Sequence, residues 1–253
     1  MMSVSIIAIL VVTGAVLLIF ISFLNQKLEA HQLEKTRLKA ELVNRIRRYE
    51  QLSDTLPGQW MTPTLKLLLS KLELTLLQRM PNKEKTPVLA ARMNHLEAEL
   101  AKGDQIEITN AAQVIANEAK AKQVRAQLEN LHAQITYAIQ NGLIEAKEAG
   151  YWDEEIRALM TLLHFEFFDH LGRQFIDQGQ LAPARQAFEK AAQYIRKQPH
   201  SDKFNEHLQY LDEQVSVLKG EIGAGQPVRE PTQLLKGLEE MEKEDAPMKS
   251  LYD

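Results

Sequence analysis

Hydrophobic positions along this chain follow three regimes. Residues 4–24 form an uncharged run interrupted only by Ser5, Thr13, Gly14 and Ser22, about the ~20 residues that a helix needs to cross a hydrocarbon core. Residues 25–220 place apolar side chains at three- and four-residue steps, the period of amphipathic helices. Residues 221–253 lose the period among Gly223, Gly225, Pro227 and Pro231, then turn acidic from Glu239 to Asp245. The expected organisation is a transmembrane helix (4–24), a stalk or coiled-coil helix (25–56), a helical domain (60–220) and a disordered acidic tail (221–253). Within the tail, Leu234, Leu235, Leu238 and Met241 have the spacing of a short amphipathic turn that forms on meeting a partner.

The stalk carries Leu24, Leu28, Leu38, Leu42, Tyr49, Leu52 and Leu56 on a broken heptad, with His31, Lys35 and Arg45 at the intervening seam positions. Two readings stand side by side: a dimerising coiled coil, or a stalk whose stripe packs on its own domain. Pro57 and Gly58 end this helix. Thr62 and Pro63, then Thr86 and Pro87, each supply an N-cap and a first-turn proline. They open an apolar helix over residues 65–80 and a second one that stops at Gly103. A long helix is expected from Thr109 or Asn110 to Asn141 and Gly142, carrying Val114, Val124, Leu128, Leu131, Ile135 and Ile139. From Trp152 through Ile156, Leu159, Met160, Leu163, Phe165, Phe167 and Phe168 the apolar density rises, as in a helix buried on more than one face. A last helix over residues 203–219 holds Phe204, Leu208, Leu211, Val215 and Leu218. The fold class is all-α, and the short connections imply antiparallel neighbours.

One stretch has a finer pattern. Phe168, Leu171, Gly172, Phe175, Gly179, Ala184, Phe188 and Ala191 follow the order of bulky, small and aromatic positions in a ~34-residue helix-turn-helix unit. Over residues 165–199 the sequence thus resembles one tetratricopeptide repeat. It departs from that pattern in having Phe168 where a tryptophan is usual and Pro199 about three residues late. Gly172 and Ala184 are the small residues at the expected close approach, Gly179 sits at the turn, and Phe175 and Phe188 fill the space between. An ordinary helical hairpin with the same packing needs is the competing reading. What the resemblance implies is protein or peptide binding.

Composition narrows the function classes. Hydrophobic residues make up 45% of the 253 residues but aromatics only 6%, so the interior is built from Leu, Ala and Ile, as in helical bundles and repeats. A net charge of -4 and a pI near 6.0 give no basic footprint for nucleic acid. Cysteine is absent, which excludes disulfides and thiolate chemistry. The nearest histidine cluster, His164, Glu166, Asp169 and His170, spreads around a helix, and neither a metal nor another cofactor is expected. Asp153, Glu154 and Glu155 read as negative charge at a helix N-terminus. No phosphate loop or nucleophile elbow appears, so an enzyme is not expected.

Direction follows from charge. No charged side chain precedes the apolar run, so it reads as a retained anchor rather than a cleaved signal. Lys27, Lys35, Arg37, Lys39, Arg45, Arg47 and Arg48 all follow it, which places the body in the cytoplasm of a bacterial-type inner membrane. Arg45, Arg47 and Arg48 are candidate contacts for lipid headgroups. The expected function is a single-pass, membrane-anchored scaffold or adaptor for other proteins, with a homodimer as one option. The runner-up is a periplasm-facing assembly factor or chaperone, and a membrane-tethered enzyme comes third.

Overall fold

The computed structural model describes residues 2–81 and 86–223; for residues 2–22, 24–25, 28–31, 146 and 223 it describes the backbone alone. The described residues form an all-helical fold. Helix α1 (Met2–Thr55) is followed by α2 (Pro63–Arg79), α3 (Pro87–Ala101), α4 (Glu118–Gln140), α5 (Ala146–Asp177), α6 (Leu181–Lys197) and α7 (Asn205–Gly223), with 3-10 turns at Gly103–Gln105 and Ser201–Phe204.

Caps set most of these boundaries. The Thr62 and Thr86 hydroxyls accept from the backbone N–H groups of Leu65 and Leu89, and a proline follows each cap, so both starts lie where the sequence marks them. Gly142 and Gly179 end α4 and α5 at φ 62° and 71°. Leu143 N–H donates to the Ala138 carbonyl and Gln180 N–H to that of Phe175, at 2.8 Å each, the paired closure that a left-handed residue after a helix permits.

The helices pack in the order α3, α2, α1, α4, α5, α6, α7, each against its neighbour in that row. Contacts along the row show alternating direction. Arg45 and Thr55 of α1 meet Gln134 and Gln127 of α4 respectively, His132 of α4 faces Asp153 of α5, and His164 of α5 stacks on Tyr194 of α6. Arg196 and Glu189 of α6 pair with Asp212 and Lys219 of α7. A continuous core runs through the whole row, from Ile46 and Tyr49 to Val215 and Leu218.

The end of α1 belongs to this core. Tyr49, Leu52 and Leu56 are at most 1% exposed, whereas Leu38 is 60% exposed. The heptad stripe therefore divides: from Leu42 onward it packs within its own chain, whereas Lys35 and Leu38 are exposed. The expected domain start at residue 60 moves back accordingly, because the last four turns of α1 are a layer of the domain. Leu24, Leu28 and His31 lie among the residues described by backbone alone.

A second correction concerns residues 106–117. They form no helix, and α4 starts at Glu118 with Asn117 as its cap, the side chain accepting from Lys120 N–H at 2.9 Å. Helix formation from Thr109 or Asn110 is defeated by the open end of α1. Asn110 Nδ2 donates to the Ser53 and Leu56 carbonyls at 3.0 and 2.9 Å, Gln113 Nε2 and Gln127 Nε2 reach the Thr55 carbonyl, and Gly58 N–H donates to Ala111 O. These strap contacts satisfy helix-end carbonyls that would otherwise be buried unpaired. Val114, expected on the buried face, is exposed.

Two smaller corrections follow. Helix α5 begins at Ala146, so Asp153, Glu154 and Glu155 lie inside it, and Asp153 pairs with Arg157 while Glu154 pairs with Lys203. Helix α7 continues through Gly220 to Gly223, and the expected tail from residue 224 lies outside the described residues. Among the described residues no helix is long and apolar enough to cross a membrane; the expected span, residues 4–24, falls almost wholly where backbone alone is described.

Candidate interaction surfaces

The hairpin of α5 and α6 brings the eight patterned residues together. Phe188 and Ala184 are fully buried, as is Ala191, while Phe168, Leu171 and Phe175 are 4–7% exposed. A Cβ built on Gly172 would lie 2.6 Å from Cζ of the Phe188 ring, so the ring rests where any larger residue would collide with it. Gly179 turns the chain with a positive φ. Gly172 thus leaves the space that the Phe188 ring fills between α5 and α6.

Polar groups tie the hairpin to its neighbours. Tyr210 of α7 donates to Asp169 Oδ1 at 2.7 Å and accepts from Arg173 Nη2 at 3.2 Å. Burial first, and then the Asp169 carboxylate, push the Tyr210 hydroxyl up to about 12. On the other side, Glu166 accepts from Trp60 Nε1 at 3.2 Å and Gln59 Nε2 at 3.3 Å. Burial raises the Glu166 carboxyl above its usual range, and these two donors oppose the rise. With His164 stacked on Tyr194 at 3.8 Å between ring centroids, three of the four expected cluster members, His164, Glu166 and Asp169, face different partners. Among the described residues no group of three or more metal-ligating side chains converges.

Between α4 and α5, burial lowers His132 below the ordinary histidine value, against the raising effect of Asp153. His132 Nε2 lies 3.6 Å from Asp153 Oδ1, too far for a hydrogen bond, and neither atom has another partner. At the α2–α3 contact Arg92 clamps the buried Glu73 with two bonds of 2.7 and 2.8 Å, a bidentate geometry that fixes the relative position of the two helices. Lys66 Nζ donates to Ser53 Oγ at 2.7 Å, with both residues buried. That pair joins α1 to α2.

The three candidate headgroup contacts separate. Arg45 is held by Glu41 and Gln134, its guanidinium 3.3 Å from the centroid of the Tyr137 ring. Arg47 and Arg48 are exposed. Beside Arg45 lies a feature that sequence reading misses: a groove of about 710 Å³ between the projecting part of α1 and the C-terminal ends of α2 and α4. Lys35, Leu38, Lys39 and Leu42 line one wall, and Arg79 and Tyr137 lie across from it. No local pattern announces it, because its walls come from positions about forty and sixty residues apart in sequence.

Comparison with protein-family models, with curated proteins and with solved structures finds no match to this chain.

Proposed function

We propose that this protein is a single-pass membrane-anchored interaction module whose helical body lies on the cytoplasmic side and organises other proteins. The observation that carries this reading is the continuity of α1. The apolar run of residues 4–24 lies in the same unbroken helix, Met2–Thr55, whose last turns form a core layer of the body. An anchor built this way fixes its domain to the bilayer through one stiff element rather than a loose linker. Confinement to a surface raises the effective concentration of weak partners, so a modest binding face suffices. The resemblance of the α5–α6 hairpin to a tetratricopeptide repeat supports protein binding as the activity.

The same continuity bears on lipid contact. At 1.5 Å per residue, Arg45, Arg47 and Arg48 lie about 30–36 Å beyond Leu24, whereas each headgroup layer is only about 5–8 Å thick. An upright span therefore favours protein partners over headgroups for these arginines. The orientation is tested by a reporter fused after Asp253. Fluorescence from a cytoplasm-dependent reporter, with a periplasmic phosphatase fusion inactive, is expected. The reverse pattern would move the body to the periplasm and favour an envelope assembly factor.

A further inference from the structure

The groove beside α1 is shaped and charged for an acidic amphipathic segment, and the chain carries one. Its walls bring three cations, Lys35, Lys39 and Arg79, around an apolar floor of Leu38, Leu42 and Tyr137. Its acid, Glu41, is already paired with Arg45 at 3.1 Å. Leu38 remains 60% exposed, an apolar side chain left for a partner to cover. Residues 234–245 have Leu234, Leu238 and Met241 at helical spacing and five acids, Glu239, Glu240, Glu242, Glu244 and Asp245, against two lysines. An amphipathic helix laid in a groove is an established mode of recognition, and opposite charge at the rim sets register and encounter rate.

We propose that the groove binds residues 234–245 of a second copy of this chain. Reach selects the second copy. Helix α7 ends at Gly223 beside the start of α6, as the Lys219–Glu189 pair shows, and so at the end of the row remote from Tyr137. Within one chain the path is about 30 Å along α4 plus four interaxial steps of about 8–10 Å, a diagonal of about 45 Å. The ten residues from 224 to 233 span at most about 35 Å. When the α7 edge of one copy stands beside the α3 edge of another, about two sideways steps, across α3 and α2, replace four, and the diagonal falls to about 35 Å, which the segment just reaches. Such a contact is head-to-tail, and it is available to every copy in a row.

This inference gives the interaction module a partner, so it rests on that part of the proposed function, but not on anchoring. Because the chain has no cysteine, engineered disulfides test it in the full-length protein in detergent micelles. One tagged copy carries Thr36→Cys, in the groove wall, and a differently tagged copy carries Glu240→Cys. Mild oxidation of the mixture is expected to give a covalent species bearing both tags. Adding Lys35→Glu and Arg79→Glu to the first copy should reduce it to the level seen with Gln193→Cys, an exposed α6 position, in place of Thr36→Cys. Adding Glu239→Lys and Glu242→Lys to the second copy should then restore it. A yield no higher than the Gln193→Cys control, or no restoration by the charge swap while helicity is unchanged, would overturn the docking. Preferential closure within a single chain carrying both cysteines would overturn the assignment to a second copy. A chain that fails all of these yet stays in membranes defeats this inference and leaves the anchor standing.

Discussion

Gly172 shows how much one absent side chain decides. Phe188 lies over it closely enough that an added methyl would stand 2.6 Å from the ring, and Ala184 is equally buried on the facing helix. Gly172→Ala and Ala184→Leu should each destabilise the protein by about 1–3 kcal/mol, the usual cost of overpacking. Gln193→Ala on the exposed side of α6 should change stability by less than about 0.5 kcal/mol. Urea unfolding of the full chain in detergent, followed by circular dichroism, compares them; equal tolerance would mean that the close approach of α5 and α6 is dispensable. His132 offers a second residue-scale test. Burial holds its folded-state pKa below the ordinary 6.5, so the unfolded chain binds the proton more readily. The stability this contributes is fully present above pH 6.5 and is lost as pH falls through that value toward the folded pKa. His132→Gln should flatten that part of the stability profile, and a variant with an unchanged profile would locate the titration elsewhere.

At the scale of elements, α1 has two characters within one helix. Leu52→Ala should cost about 2–5 kcal/mol, as a fully buried leucine in a shared core does, whereas Leu38→Ala should leave the unfolding midpoint of the isolated chain almost unmoved. Comparable losses at both positions would show that the exposed turn is also covered within the monomer. The strap makes a matching prediction. At Gly58 a Cβ would lie 2.1 Å from the Asn110 carbonyl oxygen, so Gly58→Ala must displace the strap and, with it, the Asn110 amide from the Ser53 and Leu56 carbonyls. Amide hydrogen exchange should accelerate across residues 106–117 and the last turn of α1 in that variant and in Asn110→Ala, while α6 keeps its protection. Uniform acceleration would instead mean that the strap and the body open together.

These elements also show what the sequence discloses. The Thr-Pro starts of α2 and α3 and the glycine ends of α4 and α5 are local chemistry, legible from a few adjacent residues, and the hairpin pattern is legible because its spacing is its packing. The strap is not. Ala111 and Ala112 favour a helix, and what prevents one is the unsatisfied end of α1, more than fifty residues earlier, which only the fold brings near. Division of the heptad stripe at Leu42 is hidden for the same reason: Leu38 and Leu52 have the same local signal, and the difference between them is whether α2 and α4 are beside them. The basic groove needs three helices to exist at all.

For the molecule as a whole, α1 joins a membrane-length apolar run to the core of a row of helices, so in the proposed reading its first part decides location and its last part decides stability. The central claim is that residues 4–24 anchor this body and contribute nothing to its fold. Membrane fractionation with an alkaline carbonate wash tests it most directly, comparing the full chain with one beginning at Asn25. The full chain should stay with the membrane pellet, and the shorter one should appear in the supernatant with its helical circular dichroism and its urea midpoint intact. A full chain released by the wash, or a shorter chain that still pellets with membranes while folded, would contradict the account.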